Sequence, residues 1–233
     1  MRLLLSGYYG FGNAGDEAVL SATLTEIRRR LPEAEPVVLS ADPQATRRQH
    51  EVAALPRWPF GSLREAVRSA DLLVSGGGSL LQNATSSRSL IYYLLTLELA
   101  RRANVPYMIH GQGLGPLNGL LSRRATGRVL RNARAITLRD EASMALAADL
   151  GAPEERLTLT ADSAVLLEPV SDAEVDAILA EAGLMPDRPV VGMVVREWRG
   201  AREALGPLAR IGRMAAREWD AQIAIIAFQT PED

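Results

Sequence analysis

Short apolar runs alternate with amphipathic stretches along the whole chain, and glycine clusters repeatedly stand where an apolar run ends. That rhythm constrains the fold more than any other feature. Strand-like runs begin near Arg2, Pro36, Asp71, Val105, Ala135 and Leu157, and again near Pro189 and Ala221. They are rich in Val, Leu and Ile with little alternation, as expected for parallel strands covered on both faces. Between them, Leu20, Leu24, Ile27 and Leu31 recur at the spacing of one helical face. Ser62 with Glu65, and Ser171 with Glu174, have the form of capping boxes at helix starts. A β-α-β-α order with short connections predicts a doubly wound parallel α/β sheet. Six of the strand candidates precede residue 168, and Leu167-Glu168-Pro169-Val170 reads as a linker. The expected division is a Rossmann-like domain over residues 1–168 and the start of a second, truncated domain over 169–233, since two strands make a poor independent sheet.

Composition removes several function classes. The chain has no cysteine, so disulfides and thiolate metal sites are excluded. Its net charge of −2 argues against a nucleic-acid surface. All 26 basic residues are arginine; without lysine there is no P-loop lysine and no Schiff base. With only two histidines, a histidine metal site is not expected, and no metal is. No segment approaches the ~20 apolar residues of a membrane span, and the default location is the cytoplasm.

The glycine-rich stretches carry the candidate chemistry. Gly10, Gly12 and Gly15 fit G-x-G-x-x-G at the end of the first strand. Such a loop delivers amides and a helix N-terminus to an anion. Asp16 and Glu17 in the following turn would repel a pyrophosphate, which weighs against a dinucleotide. Glu17 reads as a capping carboxylate and Asp16 as a functional one. Ser75-Gly76-Gly77-Gly78-Ser79 follows another strand and reads as a backbone cradle for phosphate or sugar, or as a crowded crossover. Arg88 opposes a helix dipole at its N-terminal end, which favours an anion partner. His110-Gly111-Gln112-Gly113-Leu114-Gly115 follows the Val105–Ile109 strand; His110 reads equally as a hydrogen-bonded, half-buried side chain or a catalytic one. His50, in a charged run, is expected to be solvated. Arg139 ends a central strand, where its fork would meet a carboxylate or phosphate, unless it pairs with Asp140 or Glu141. Asp162 ends the next strand, and Arg196 beside Trp198 ends the first strand after the linker.

The stretches Ser6–Ala18, Val74–Gln82, Thr85–Ser89, Gln112–Pro116 and Thr137–Glu141, taken together and in this order, resemble the polysaccharide pyruvyl transferase family, in particular its CsaB branch. The resemblance implies a GT-B-like fold of two Rossmann-type domains, of which the second is incomplete here. It implies transfer of a pyruvyl group from phosphoenolpyruvate, with no cofactor, to a cell-wall sugar. In that branch the sugar is an N-acetylmannosamine residue of a polymer that anchors S-layer proteins. A lipid-linked acceptor would bring the protein to the inner face of the membrane as a peripheral protein. Arg139 matches the family's N-terminal donor arginine. The Arg-Leu-His motif of the family's C-terminal half is not found in this sequence. The residues carried forward are Asp16 as the catalytic carboxylate, with Gly12, Asn13, Gly77, Gly78, Ser79, Arg88, Gln112, Arg139 and Arg196 for substrate. Two other enzyme readings stay open: an NAD-dependent oxidoreductase using Gly10, Gly12 and Gly15, and a GT-B glycosyltransferase using a nucleotide sugar. A non-catalytic binding module is a third, in which an exposed apolar face would favour a homo-oligomer.

Overall fold

The structure is a computed structural model describing residues 1–195 and 201–228. It divides into two compact units, Met1–Leu167 and Glu168–Asp233.

The first unit runs β1 (Arg2–Ser6), α1 (Ala14–Arg30), β2 (Glu35–Ser40), α2 (Pro43–His50), β3 (Ala53–Pro56), α3 (Phe60–Arg68), β4 (Leu72–Ser75), β5 (Gly78–Leu81), α4 (Ser87–Arg102), β6 (Tyr107–Leu114), α5 (Leu120–Asn132), β7 (Ala135–Leu138), α6 (Glu141–Asp149) and β8 (Leu157–Leu159), ending in a 3-10 turn at Ser163–Leu166. The eight strands form one parallel sheet in the order β3-β2-β1-β4-β6-β7-β8, with β5 paired to the far half of β6. The order reverses between β1 and β4. Such a switch point opens a crevice at the carboxyl ends of the strands, where doubly wound sheets bind ligands. Right-handed crossovers put α3 to α6 on one face and α1 and α2 on the other. Two apolar clusters match these faces: a large one around Leu63, Leu97, Val129 and Ile136, and a smaller one around Leu20, Leu24 and Val38. Leu20 and Leu24 are buried as their spacing predicts, whereas Leu31 lies past the helix end and is exposed.

The structure departs from the sequence reading in four places. Two short strands were not expected: β3 at the sheet edge, and β5 inside the triple-glycine stretch. His110–Leu114 is not a loop but the second half of β6, carried past Ile109 by pairing with β5 and β7. Ser62 does not cap a helix, because α3 begins two residues earlier behind Pro59.

The second unit contains α7 (Asp172–Glu181), β9 (Val190–Val195), α8 (Ala201–Glu218) and β10 (Gln222–Ala227). Its strands pair in parallel. Here the expected capping box is present: Ser171 and Glu174 satisfy each other's backbone amides at the start of α7.

Candidate functional site

The loop from β1 into α1 is held by side chains rather than left open for a ligand. Asn13 is the N-cap of α1: its Oδ1 accepts from the amides of Gly15 at 3.0 Å and Asp16 at 3.3 Å. The Glu17 carboxylate accepts from the Gly10 amide at 2.8 Å through Oε1 and meets His50 Nε2 at 2.9 Å through Oε2. Both members of this pair are buried. His50 is therefore not solvated, and Glu17 does more than complement the helix dipole: it ties the glycine loop to the end of α2. Asn13 and Glu17 thus occupy the Gly10, Gly15 and Asp16 amides, three of the donors that the Gly10, Gly12 and Gly15 fingerprint would offer an anion. Gly10 instead sits tight on β2, where a Cβ would fall 2.1 Å from Ser40 Oγ. Gly12 is exposed, with φ +66°.

The triple glycine has two explanations. Gly76 and Gly77 are buried and close-packed: a Cβ would lie 2.1 Å from Tyr9 Oη at the first and 2.6 Å from Val19 Cγ1 at the second. Crowding accounts for both, so Gly77 serves packing rather than the cradle expected of it. Gly78 differs. Its φ of +81° turns the chain outward, and its Cβ direction points to Asp16 Oδ1, 3.1 Å away. The next residue, Ser79, accepts from Arg139 Nη2 at 3.0 Å. Arg139 also donates from Nη1 to Asp162 at 2.7 Å, and its Nε lies 3.8 Å from the Asp140 carboxylate. A Cβ on Gly113 would come within 3.0 Å of Arg139 Nε and 2.6 Å of Ser79 Oγ, so this glycine gives the pair its room.

Asp16, Gly78, Ser79, Arg139 and Asp162 thus gather along the carboxyl edge, from the switch point to β8. The partner of Arg139 is chiefly Asp162, not the neighbouring Asp140 or Glu141. Beside this row, His110 Nε2 lies 3.2 Å from Ser163 Oγ, and burial pushes its pKa below the ordinary imidazole value. The Tyr9 hydroxyl is buried and has no hydrogen-bond partner among the described residues. Burial, with the Asp16 charge adding to it, pushes its pKa well up, so it remains a protonated donor.

Other expected ligands lie elsewhere. Gln112 is fully buried and donates through Nε2 to the Ser75 carbonyl and hydroxyl, bracing β6 against β4. It is a strut within the sheet, not a residue facing the crevice. Asn13 is spent on its cap. Arg88 is exposed on the first turn of α4, with no hydrogen bond or ion pair among the described residues. Arg196 and Trp198 lie outside the described residues. Among the described residues no group of histidines and carboxylates could hold a metal ion. What sequence reasoning missed is the Glu17–His50 brace and the buried Tyr9 hydroxyl. Only the position of Tyr9 within the glycine loop could have signalled the second.

The polysaccharide pyruvyl transferase family model matches residues 13–224. The chain belongs to this family. Membership makes it one of the transferase enzymes and covers every residue of the carboxyl-edge row. A search of curated proteins found no match. Among solved structures, the UDP-GlcNAc 2-epimerase of Methanocaldococcus jannaschii has a TM-score of 0.63 at 11% identity, covering 97% of this chain and 65% of that one. S. aureus MnaA with UDP gives 0.61 at 13%, covering 99% and 62%. Anabaena HepE in complex with UDP and glucose gives 0.57 at 13%, covering 99% and 70%. At these identities the likeness is one of fold: this pyruvyl transferase family member has the Rossmann-like α/β architecture of GT-B proteins. None of the described helices is long and apolar enough to cross a membrane.

Proposed function

We propose that the pyruvyl donor is phosphoenolpyruvate, with no cofactor, and that the acceptor is a lipid-linked cell-wall sugar of the N-acetylmannosamine type. The observation that carries this reading is the approach of Asp16 and Arg139 to the adjacent residues Gly78 and Ser79. A carboxylate and a guanidinium on neighbouring positions of one crevice suit a reaction that removes hydroxyl protons while charge grows on a leaving phosphate.

In ketal formation, one sugar hydroxyl adds to C2 of phosphoenolpyruvate as C3 takes up a proton and becomes a methyl group. A second hydroxyl then displaces phosphate from C2. Two O–H bonds break and two C–O bonds form, and the C–O bond to phosphate breaks. One proton ends on the methyl group and the other leaves with phosphate. Asp16 is the group to take the hydroxyl proton. Arg139 is the group to hold the donor's carboxylate or phosphate in its planar fork. Asp162 and Ser79 fix the guanidinium plane beforehand, and an incoming anion has to share Arg139 with Asp162.

The test is phosphate release from phosphoenolpyruvate in the presence of an aglycone-linked N-acetylmannosamine disaccharide. The expected result is acceptor-dependent release that falls at least about 100-fold in Asp16→Asn. Arg139→Ala is expected to raise the phosphoenolpyruvate KM. Saturable binding of a UDP sugar with no response to phosphoenolpyruvate would overturn the reading in favour of a glycosyltransferase. Unchanged rates in Asp16→Asn would remove Asp16 from the chemistry.

A further inference from the structure

The charge of this chain is unevenly placed. Of 26 basic and 28 acidic side chains, the stretch from Arg57 to Asn132 holds ten arginines against three carboxylates, Glu65, Asp71 and Glu98. That stretch builds α3, α4 and α5, which pack side by side on one face of the sheet. Glu98 is shared by Arg101, Arg102 and Arg128, and Asp71 is taken by the Arg2 amide at the opposite edge. Outside the stretch, Asp149 pairs with Arg123. Arg64, Arg68 and Arg124 have no ion pair among the described residues.

Large apolar side chains stand among these charges, near the starts of the three helices. Each of the three helices follows a parallel strand, so each begins at the carboxyl edge of the sheet. Trp58 and Phe60 are at the start of α3, Ile91 is in the second turn of α4, and Leu120 and Leu121 open α5. Their exposures are 55%, 41%, 62%, 70% and 81%. Single exposed apolar residues are ordinary, but five near the leading ends of three adjacent helices concentrate exposed apolar surface on one face. Between α3 and the last turn of α4, away from the leading end of α4, lies a groove of about 270 Å³ walled by Phe60, Leu99, Arg64, Arg68 and Arg102. Apolar side chains that reach outward with arginines behind them are the pattern of a surface that dips into the headgroup layer of an anionic bilayer.

We infer that the rim formed by the N-terminal ends of α3, α4 and α5 is a docking surface for an anionic lipid membrane. Trp58, Phe60, Ile91, Leu120 and Leu121 enter the interface, and Arg64 and Arg124, within the first two turns of α3 and α5, contact lipid phosphates. The rim borders the same carboxyl edge that carries Asp16 and Arg139. A lipid-linked acceptor would therefore be met at the membrane. The inference goes beyond the proposed reaction and is read without catalysis, so the two can fail separately.

The experiment is co-sedimentation of the full chain with vesicles of phosphatidylcholine alone and of phosphatidylcholine mixed equally with phosphatidylglycerol. Binding is expected to the mixed vesicles only and to fall steeply between 0.05 and 0.5 M salt, as roughly the Debye screening of surface charge requires. Arg64→Glu with Arg124→Glu is expected to lower partitioning at least about tenfold, through the loss of favourable lipid contacts at two arginines. Leu120→Ser with Leu121→Ser is expected to lower it while circular dichroism stays unchanged, since both side chains lie outside the core. Equal binding to both vesicle types, or no effect of either pair, would overturn the inference. So would concentration-dependent self-association that these pairs abolish in the absence of vesicle binding, which would make the rim a contact between copies of the chain.

Discussion

Burial pushes the His110 imidazole below its ordinary pKa of 6.5, so the folded chain holds it neutral while the unfolded chain takes up a proton as pH falls past that value. The folded pKa is the depressed one. The contribution of His110 to stability is therefore fully present above pH 6.5 and is lost progressively below it, down to the folded pKa. The carboxylates that arginines stabilise act lower: Glu26 and Glu98 are held at about 2, against an ordinary 4.5. A window from pH 7 to pH 5 lies above these carboxylates, and within it the comparison with His110→Gln reads the contribution of this imidazole. The melting temperature of the wild type is expected to fall across it, and that of His110→Gln to fall less. Parallel curves would show that the imidazole is not what the fold protects. Residue by residue, Asp16, Ser79 and Arg139 stand out in the sequence as candidates because each directly follows a strand or a glycine turn. It hid the role of His50, whose partner Glu17 is 33 positions away and is brought near only by α2 folding back beside α1.

At the scale of elements, the Glu17–His50 contact joins α1 to α2 and also holds the Gly10 amide. Replacing His50 by Ala leaves a buried carboxylate short of a partner. The expected cost is about 1–3 kcal/mol in a urea titration, with the m-value unchanged. A cost below about 0.5 kcal/mol would mean that solvent reaches Glu17 and the brace is slack. The helices were legible because their apolar spacing and their caps are local features. The strands that escaped notice share a different cause. β3 has four residues and ends in a proline, and β5 opens on a glycine; both compositions are poor strand signals in isolation. The same holds for the second half of β6, where Gly111 and Gly113 disguise pairing that β5 and β7 impose from either side. Crowding against Tyr9 and Val19, which fixes Gly76 and Gly77, is likewise a property of neighbours remote in sequence.

At the scale of the molecule, the unit Met1–Leu167 has its own complete sheet and both of its covering helical layers. Residues 1–167 expressed alone are expected to unfold in a single cooperative transition, with coincident far- and near-ultraviolet circular dichroism. A fragment that keeps helical signal but binds a hydrophobic dye and melts without a transition would show that its core depends on the following unit. The position of β1 has a consequence for biosynthesis. This strand lies between β2 and β4, and its Ser6 is opposite Ser75 on the second of these neighbours. A ribosome adding 5–20 residues per second needs roughly 3–14 s to pass from one to the other. During that interval one edge of β1 is bare, and it is the edge that becomes the floor of the crevice. The nascent chain is then most exposed to wrong pairing, and a chaperone that shields extended apolar segments would find its target there.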